Sequence, residues 1–155
     1  MQADLADGPE GTIACLTLPA RTEAIYAGLQ TLLAQPPLAH LDNNLRGAAE
    51  LALAEALNNI VEHGYAGQSG DIDIEIHQEK DGLFCQIHDA GRAFPGGKLP
   101  KGIFPDLKGE LPEGGFGWAL IHAVAEDICY ERCHRRNRTA FRIRANQDEA
   151  IGQTI

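Results

Sequence analysis

Hydrophobic and polar residues alternate most strictly over residues 71–77, which read Asp-Ile-Asp-Ile-Glu-Ile-His. A period of two is typical of a β-strand with one buried face. Asp81-Gly82 then predicts a hairpin turn, and Leu83 to His88 is the returning strand. Thr12 to Leu18 also has strand character and is stopped by Pro19. The first part of the chain therefore contains a hairpin and one further strand.

Two segments between these strands have helical spacing instead. The first helix is predicted from about Arg21 to Ala34, because Gln35-Pro36-Pro37 forbids its continuation. The second follows the N-cap residues Asp42-Asn43-Asn44 and ends near His63, with Gly64 as its C-terminal stop. This second helix is the longer of the two.

The last part of the chain begins with a segment that lacks regular structure. Residues 90–115 are rich in Gly and Pro with little periodicity, which is typical of a lid or a binding loop. Helical spacing returns over Phe116 to Glu126, and a closing hairpin joins Ile128–Cys133 to Thr139–Ala145 across Arg135-Arg136-Asn137-Arg138. This order of elements predicts an α+β fold. We expect a two-layer α/β sandwich with helices on one face of a mostly antiparallel sheet.

The composition suits a globular protein. With 155 residues, 44% hydrophobic and 23% charged, the chain suits a single domain over residues 1–155, with its core at about 12–145. No apolar run approaches the roughly 20 residues of a membrane span, and the N-terminus is acidic where an export signal would be basic. We therefore expect a cytoplasmic protein. Its net charge of −9 disfavours nucleic acid as the main ligand.

Basic residues are concentrated near the C-terminus, although the chain as a whole is acidic. Six arginines share this segment: Arg132, Arg135, Arg136, Arg138, Arg142 and Arg144. They are either the solvated side chains of a hairpin, which we favour, or the contact surface for a protein partner.

Cys129 and Cys133, followed by His134, have a spacing that a zinc site can use, but no second ligand pair is spaced to complete it. Strand residues four apart are separated by roughly 13 Å, which is too far for a disulfide. We therefore favour reduced structural thiols over a metal site for all four cysteines, which include Cys15 and Cys85.

The second helix carries a polar stripe. At 100° per residue, Glu55, Asn59, Glu62 and His63 share one side, and apolar residues occupy the opposite side. Two small residues that would leave space fall among the polar ones, Ala48 and Ala52. The stripe is either a solvated face or a site for phosphate chemistry. An Asn oxygen suits Mg²⁺ bound mainly through phosphates, and a Glu one turn earlier can accept a proton during phosphoryl transfer.

Two glycine-containing segments follow this helix. Asp89-Ala90-Gly91 closes a strand, where a carboxylate can accept a hydrogen bond from an amine such as that of adenine; the alternative is a simple turn. Gly114-Gly115-Phe116-Gly117 leads into a helix, whose N-terminal N–H groups and dipole favour a phosphate; the alternative is a hinge. The chain lacks the Gly-Lys-Ser/Thr of a P-loop.

Together, three segments resemble the N, G1 and G2 boxes of the Bergerat-type ATPases: ELALAEALNNIVEHGY, IHDAGRAF and GGFGWALI. The likeness is strongest to the anti-sigma factor serine kinases, whose helix typically reads Glu-Ala-x-x-Asn-x-x-x-His-Gly-Tyr. It covers roughly residues 12–145. The resemblance implies ATP and Mg²⁺ as cofactors, a sigma factor or similar regulator and an antagonist protein as partners, and a homodimer.

The resemblance also assigns roles to individual residues. Glu55 would be the general base, Asn59 the Mg²⁺ ligand and Asp89 the acceptor for the adenine amine. The other positions implied to contact the nucleotide are His63, Gly91, Phe94, Gly115, Gly117 and Thr139. Among these, Gly91 would pass under the adenine ring, and Gly115 and Gly117 would hold the phosphates.

Three functions stay open at this point. The first is an ATP-dependent protein serine kinase of a partner-switching pathway, which phosphorylates a serine of an antagonist protein. The second is an ATP-binding module that sequesters partners without transferring phosphate, and the third is the catalytic part of a histidine kinase acting in trans. Glu55 favours the kinase, because nucleotide sensing alone requires the Asn but not a base.

Overall fold

The strands lie close to where the alternation predicts them. The computed structural model describes residues 12–36, 38–99 and 116–145. Among these, the strands are β1 (Thr12–Pro19), β2 (Asp71–Glu79), β3 (Gly82–Asp89), β4 (Glu126–Cys133) and β5 (Arg136–Arg144). They form a sheet of order β1-β2-β3-β5-β4 in which each neighbouring pair is antiparallel.

Helices cover one face of this sheet. They are α1 (Thr22–Ala34), α2 (Asn43–Asn59) and α3 (Phe116–Val124). Alternate residues of the central strands, such as Ile74 and Ile87, are buried in the same core as Leu53 of α2. The predicted α+β sandwich is confirmed. None of the described helices has the length and apolar character needed to cross a bilayer.

The second helix begins as predicted but ends later. The Asp42 carboxylate accepts hydrogen bonds from the backbone N–H of Asn44 and Leu45, which satisfies two unpaired donors of the first turn. After Asn59 the helix continues as a π-helical turn over Ile60–Tyr65. It stops at Ala66, which has a left-handed φ of 51°, so the prediction of Gly64 as the stop was wrong. The wider π turn carries the chain past Gly64 before it reverses.

The third helix is shorter than its spacing indicates. It ends at Val124, and Glu126 already pairs with Arg142 as the first residue of β4. Asp127 then takes a left-handed φ of 51° where the register of β4 shifts. The prediction that the helix reaches Glu126 was therefore wrong, because pairing with β5 competes with the last helical turn.

The closing hairpin turns earlier than predicted. Its turn residues are His134 and Arg135, with left-handed φ values of 50° and 65°, as expected for a two-residue turn between antiparallel strands. Strand β5 therefore begins at Arg136 rather than Thr139. The correction matters because Asn137, placed in a turn by the sequence analysis, lies opposite Asp89 on β3.

Several of the C-terminal arginines form ion pairs with acidic residues of β2 and β4. Arg136 lies 3.1 Å from the carboxylate of Asp73, and Arg142 lies 2.9 Å from that of Glu79. Arg144 pairs with Glu126. Because these pairs are partly exposed, each contributes little to stability. These three arginines are thus engaged by carboxylates of the sheet itself.

The four cysteines are free thiols. Cys85 lies in the core on β3, and burial raises its pKa to about 12. Cys15, Cys129 and Cys133 are exposed. The buried thiol therefore stays protonated at neutral pH and acts as a small apolar side chain.

Candidate functional site

Asp89 ends strand β3 as a buried carboxylate, with 2% of its surface exposed. Its Oδ1 accepts a hydrogen bond from Gly91 N at 2.9 Å and another from Asn137 Nδ2 at 2.9 Å. Burial raises the pKa of Asp89, whereas these two hydrogen bonds and the charges of Arg132 and Arg136 lower it. A buried carboxylate held in this way is an acceptor fixed in direction.

The π turn at the end of α2 packs directly on the segment after Asp89. A Cβ added to Gly91 would lie 2.6 Å from the carbonyl carbon of Gly64, so the two backbones touch where no side chain would fit. Arg92 N donates to Gly64 O at 2.8 Å, and the Arg92 guanidinium donates to His63 O at 3.0 Å. The identity of Gly91 is therefore required by the packing of the π turn against it, a contact that the pattern of neighbouring residues does not indicate.

Tyr65 also connects the π turn to the segment after Asp89 through hydrogen bonds. Its hydroxyl donates to Asp71 O at 2.6 Å and accepts from Ala90 N at 2.8 Å. The ring fits against Gly70, where an added Cβ would lie 2.2 Å from the ring carbon Cε1. One buried hydroxyl thus joins the end of α2, the start of β2 and the turn after β3.

We expect Tyr65→Phe to lower the free energy of unfolding by about 1–3 kcal/mol, because two backbone groups lose their partner in a buried site. Urea denaturation followed by circular dichroism measures this change. The matched control is Tyr26→Phe, since the side chain of Tyr26 is 72% exposed, and its effect should stay within about 0.5 kcal/mol. Equal effects of the two substitutions would contradict this role of Tyr65.

Glu55 and Asn59 lie one turn apart on α2, and both are half-buried. Asn59 Nδ2 donates to Glu55 O at 2.9 Å, which leaves the Asn59 oxygen Oδ1 free of that bond. The first turn of α3 lies against the pair. A Cβ added to Gly117 would be 2.8 Å from Glu55 Oε2 and 3.2 Å from Asn59 Nδ2. The structure therefore brings Glu55, Asn59 and Gly117 together.

The alanines beside these residues do not leave the predicted space. Ala52 is fully buried, and Ala48 packs against the core. Helix α3 contacts α2 on this side, which the helical periodicity of α2 alone could not indicate. The polar stripe is thus an interface between two helices at Glu55 and Asn59.

A family model described as the histidine kinase-like ATPase domain matches residues 17–144, most of the chain. This chain belongs to that family. It is also similar to curated relatives named serine-protein kinase RsbW. The protein from Bacillus cereus (strain ATCC 10987 / NRS 248) is 34% identical over 83 residues, which cover 51% of this chain and 52% of that protein. The protein from Oceanobacillus iheyensis is 34% identical over 84 residues, covering 51% and 53%. The chain thus spans about half the length of the curated relatives it matches.

Within this ATPase domain, two of the implied nucleotide contacts lie next to Tyr130 of β4. Phe94 packs edge-on against Trp118 and Tyr130, with ring centroids 5.6 and 5.1 Å away, and its N–H donates to the Tyr130 hydroxyl. Thr139 is buried on β5, opposite Ile87. Both residues therefore belong to the region where α3, β4 and β5 meet the end of β3.

The backbone of His63 lies next to the contact between Gly64 and Gly91, because His63 O accepts a hydrogen bond from the Arg92 guanidinium. The His63 side chain is exposed, with its Nε2 3.9 Å from the Glu62 carboxylate. The regular 100° step that placed Glu62 and His63 on the stripe does not apply beyond Asn59, where the π turn begins. Gly115 and most of the segment predicted as a loop lie outside the described residues.

Sequence reasoning missed three residues of this ATPase domain that surround Asp89: Asn137, Tyr130 and Arg132. Arg132 donates to Gly91 O at 2.9 Å and to Asn137 Oδ1 at 2.8 Å, and the Tyr130 hydroxyl donates to Asn137 Oδ1 at 2.6 Å. A two-residue turn at His134-Arg135 would have revealed them, because it sets Asn137 opposite Asp89 in the register.

Proposed function

We propose that this chain is an ATP-dependent protein serine kinase that acts as an anti-sigma factor in a partner-switching pathway. One observation carries the proposal. Helix α2 and its π turn present Glu55 and Asn59 to α3, and the same turn meets the buried Asp89 at Gly91. The proposed base and metal-binding oxygen lie on one helix, and the proposed adenine-reading carboxylate lies next to the end of that helix.

The site near Asp89 fits an adenine base. Among the described residues, both donors to this carboxylate reach Oδ1, so Oδ2 can accept a further hydrogen bond. Adenine presents an amine at its position 6, whereas guanine presents an acceptor oxygen there. Asp89 would therefore favour ATP over GTP, since two acceptors facing each other in a buried site repel.

The Asn59 side chain fits Mg²⁺ carried by phosphates. Its Nδ2 is held by Glu55 O, so Oδ1 is the atom left for a ligand, and a carboxamide oxygen is a suitable hard donor. Mg²⁺ bound to ATP would neutralise the phosphate charge and orient the γ-phosphate for transfer. Because the chain has a net charge of −9, it repels the negatively charged phosphates unless a cation offsets their charge.

Glu55 is suited to act as the general base. It would take the proton of a serine hydroxyl while the serine oxygen bonds to the γ-phosphorus and the bond from phosphorus to the ADP oxygen breaks. Gly117 leaves room for this carboxylate, because a Cβ at that position would lie 2.8 Å from Oε2. The step thus transfers one phosphoryl group from ATP to the serine oxygen and one proton from the serine to Glu55.

The proposed partners are a sigma factor or similar regulator and an antagonist protein that is the substrate, with no direct contact to nucleic acid. The resemblance of the three boxes supports these partners, and the relatives named serine-protein kinase support the activity. From the length and composition of the chain we further propose a single domain that works in the cytoplasm, and from the resemblance we propose a homodimer.

The test is incubation of the full chain with Mg²⁺, γ-labelled ATP and the candidate antagonist encoded beside it. We expect label on one serine of the antagonist, identified by mass spectrometry after proteolysis. Label on a histidine of another protein would favour a histidine kinase acting in trans instead. ATP binding without any transfer would favour the sequestering module, and the absence of ATP binding would contradict all three functions.

A further inference from the structure

The Asn137 side chain lies at the centre of a buried polar network beside Asp89, and 3% of its surface is exposed. Its Nδ2 donates to Asp89 Oδ1 at 2.9 Å, to Gly91 O at 3.1 Å and to Arg92 O at 3.2 Å. One amide group therefore holds both the carboxylate and the two backbone carbonyls that follow it.

The orientation of this amide is determined by its other side. Arg132 donates to Asn137 Oδ1 at 2.8 Å, and a guanidinium group has no acceptor, so the oxygen must face Arg132. The Tyr130 hydroxyl accepts from Phe94 N and gives its own proton to the same Oδ1. Nδ2 is thereby left to point at Asp89.

We propose that Asn137 is a positioning residue for nucleotide binding: its amide holds Oδ1 of Asp89 and so directs the other carboxylate oxygen toward the adenine amine. This inference rests on the proposed function, because it assumes that Asp89 contacts adenine. Asn137 itself touches the carboxylate and not the nucleotide.

The charges around Asp89 make this role measurable. Burial raises its pKa, and the Asn137 hydrogen bond opposes that rise, as do Gly91 N and the charges of Arg132 and Arg136. Tyr65 faces the carboxylate from the π turn, and burial raises the pKa of its hydroxyl, so it stays neutral. Loss of the Asn137 donor should therefore raise the pKa of Asp89. A protonated Asp89 is a weaker acceptor. As the solution is acidified, the variant should therefore lose nucleotide affinity at a higher pH than the wild type does.

The experiment compares the wild-type chain with Asn137→Ala. Carbon-13 NMR of the carboxyl groups measures the pKa of Asp89 in the free protein, and calorimetry measures the Kd for Mg-ADP between pH 5 and 8. In the variant we expect a pKa about one unit higher and a Kd raised about tenfold or more, the usual cost of losing a hydrogen bond to a charged group. The increase in Kd should be largest at the acidic end.

Two further variants keep the test decisive. Asn137→Leu is close to Asn in size and cannot donate to Asp89 in any protonation state, so it serves if the alanine variant does not fold. Arg142→Ala is the control, since it also removes a hydrogen bond of β5, to Glu79, away from Asp89. The control should leave the pKa of Asp89 unchanged and should change the Kd by no more than about twofold.

The outcomes separate this inference from the proposed function. If the wild type binds Mg-ADP and Asn137→Ala leaves the pKa of Asp89 unchanged, the inference is overturned, even if binding weakens equally at every pH. If the wild type does not bind Mg-ADP, the proposed function fails, and the inference fails with it.

Discussion

Glu55→Gln should retain the affinity for Mg-ATP within a few fold while phosphate transfer to the antagonist falls by roughly 10²–10⁴, the usual contribution of general acid–base catalysis. Glutamine keeps the size of the side chain and most of its hydrogen bonding, but it cannot take up a proton. The contact with Gly117 should survive as well, because the added amide occupies the same volume as the carboxylate oxygen. Calorimetry for binding and labelled phosphate transfer measure the two effects separately.

Glu62→Gln is the matched control for this prediction. Glu62 is exposed on the π turn, where its carboxylate lies 3.9 Å from His63 Nε2 and away from Gly117. It should transfer phosphate at the wild-type rate. If Glu62→Gln loses activity and Glu55→Gln does not, the two residues exchange roles, and Glu55 is structural.

Asn59→Ala should lower the affinity for Mg-ATP by at least roughly 100-fold. Loss of a group that only supports a metal ligand lowers the affinity for the metal by about 10–100-fold, so loss of the ligand itself should lower that affinity at least as much. The fold should be retained, because Ala is a better helix former than Asn. Calorimetry with ATP, in the presence and absence of Mg²⁺, measures the effect, which should disappear without the metal.

Asn58→Ala provides the comparison, since it removes the same carboxamide from the adjacent position of α2. Its affinity for Mg-ATP should equal that of the wild type. Unchanged binding by Asn59→Ala would remove this residue as the metal ligand. A loss of binding in both variants would indicate damage to the helix rather than to a ligand.

Local features of the sequence predicted most of the secondary structure. The alternation of residues 71–77 requires one buried face, and Asp42 offers a side-chain acceptor for the first turn of a helix. Both signals depend on neighbouring residues only, so they survive in the folded protein. The element boundaries were wrong where a distant partner intervened, as at Glu126, which pairs with Arg142.

The candidate site was predicted in part. Glu55, Asn59 and Gly117 meet in the structure, and Asp89 is buried beside Gly91, as the order of the three boxes indicates. Asn137 was missed because a polar Arg-Arg-Asn-Arg run is typical of a turn. Its place opposite Asp89 depends on the left-handed φ of His134 and Arg135, a conformation that is uncommon for residues other than glycine.

The sequence by itself determined the helix periods, the alternation of β2 and the polar stripe of α2, because each follows from the chemistry of adjacent side chains. Only the tertiary structure decided that α3 lies on that stripe, that Gly64 touches Gly91, and that Asn137 holds Asp89. These contacts join residues far apart in the chain. Their geometry depends on how helices and strands pack together, and a pattern of neighbouring residues contains no information about that packing.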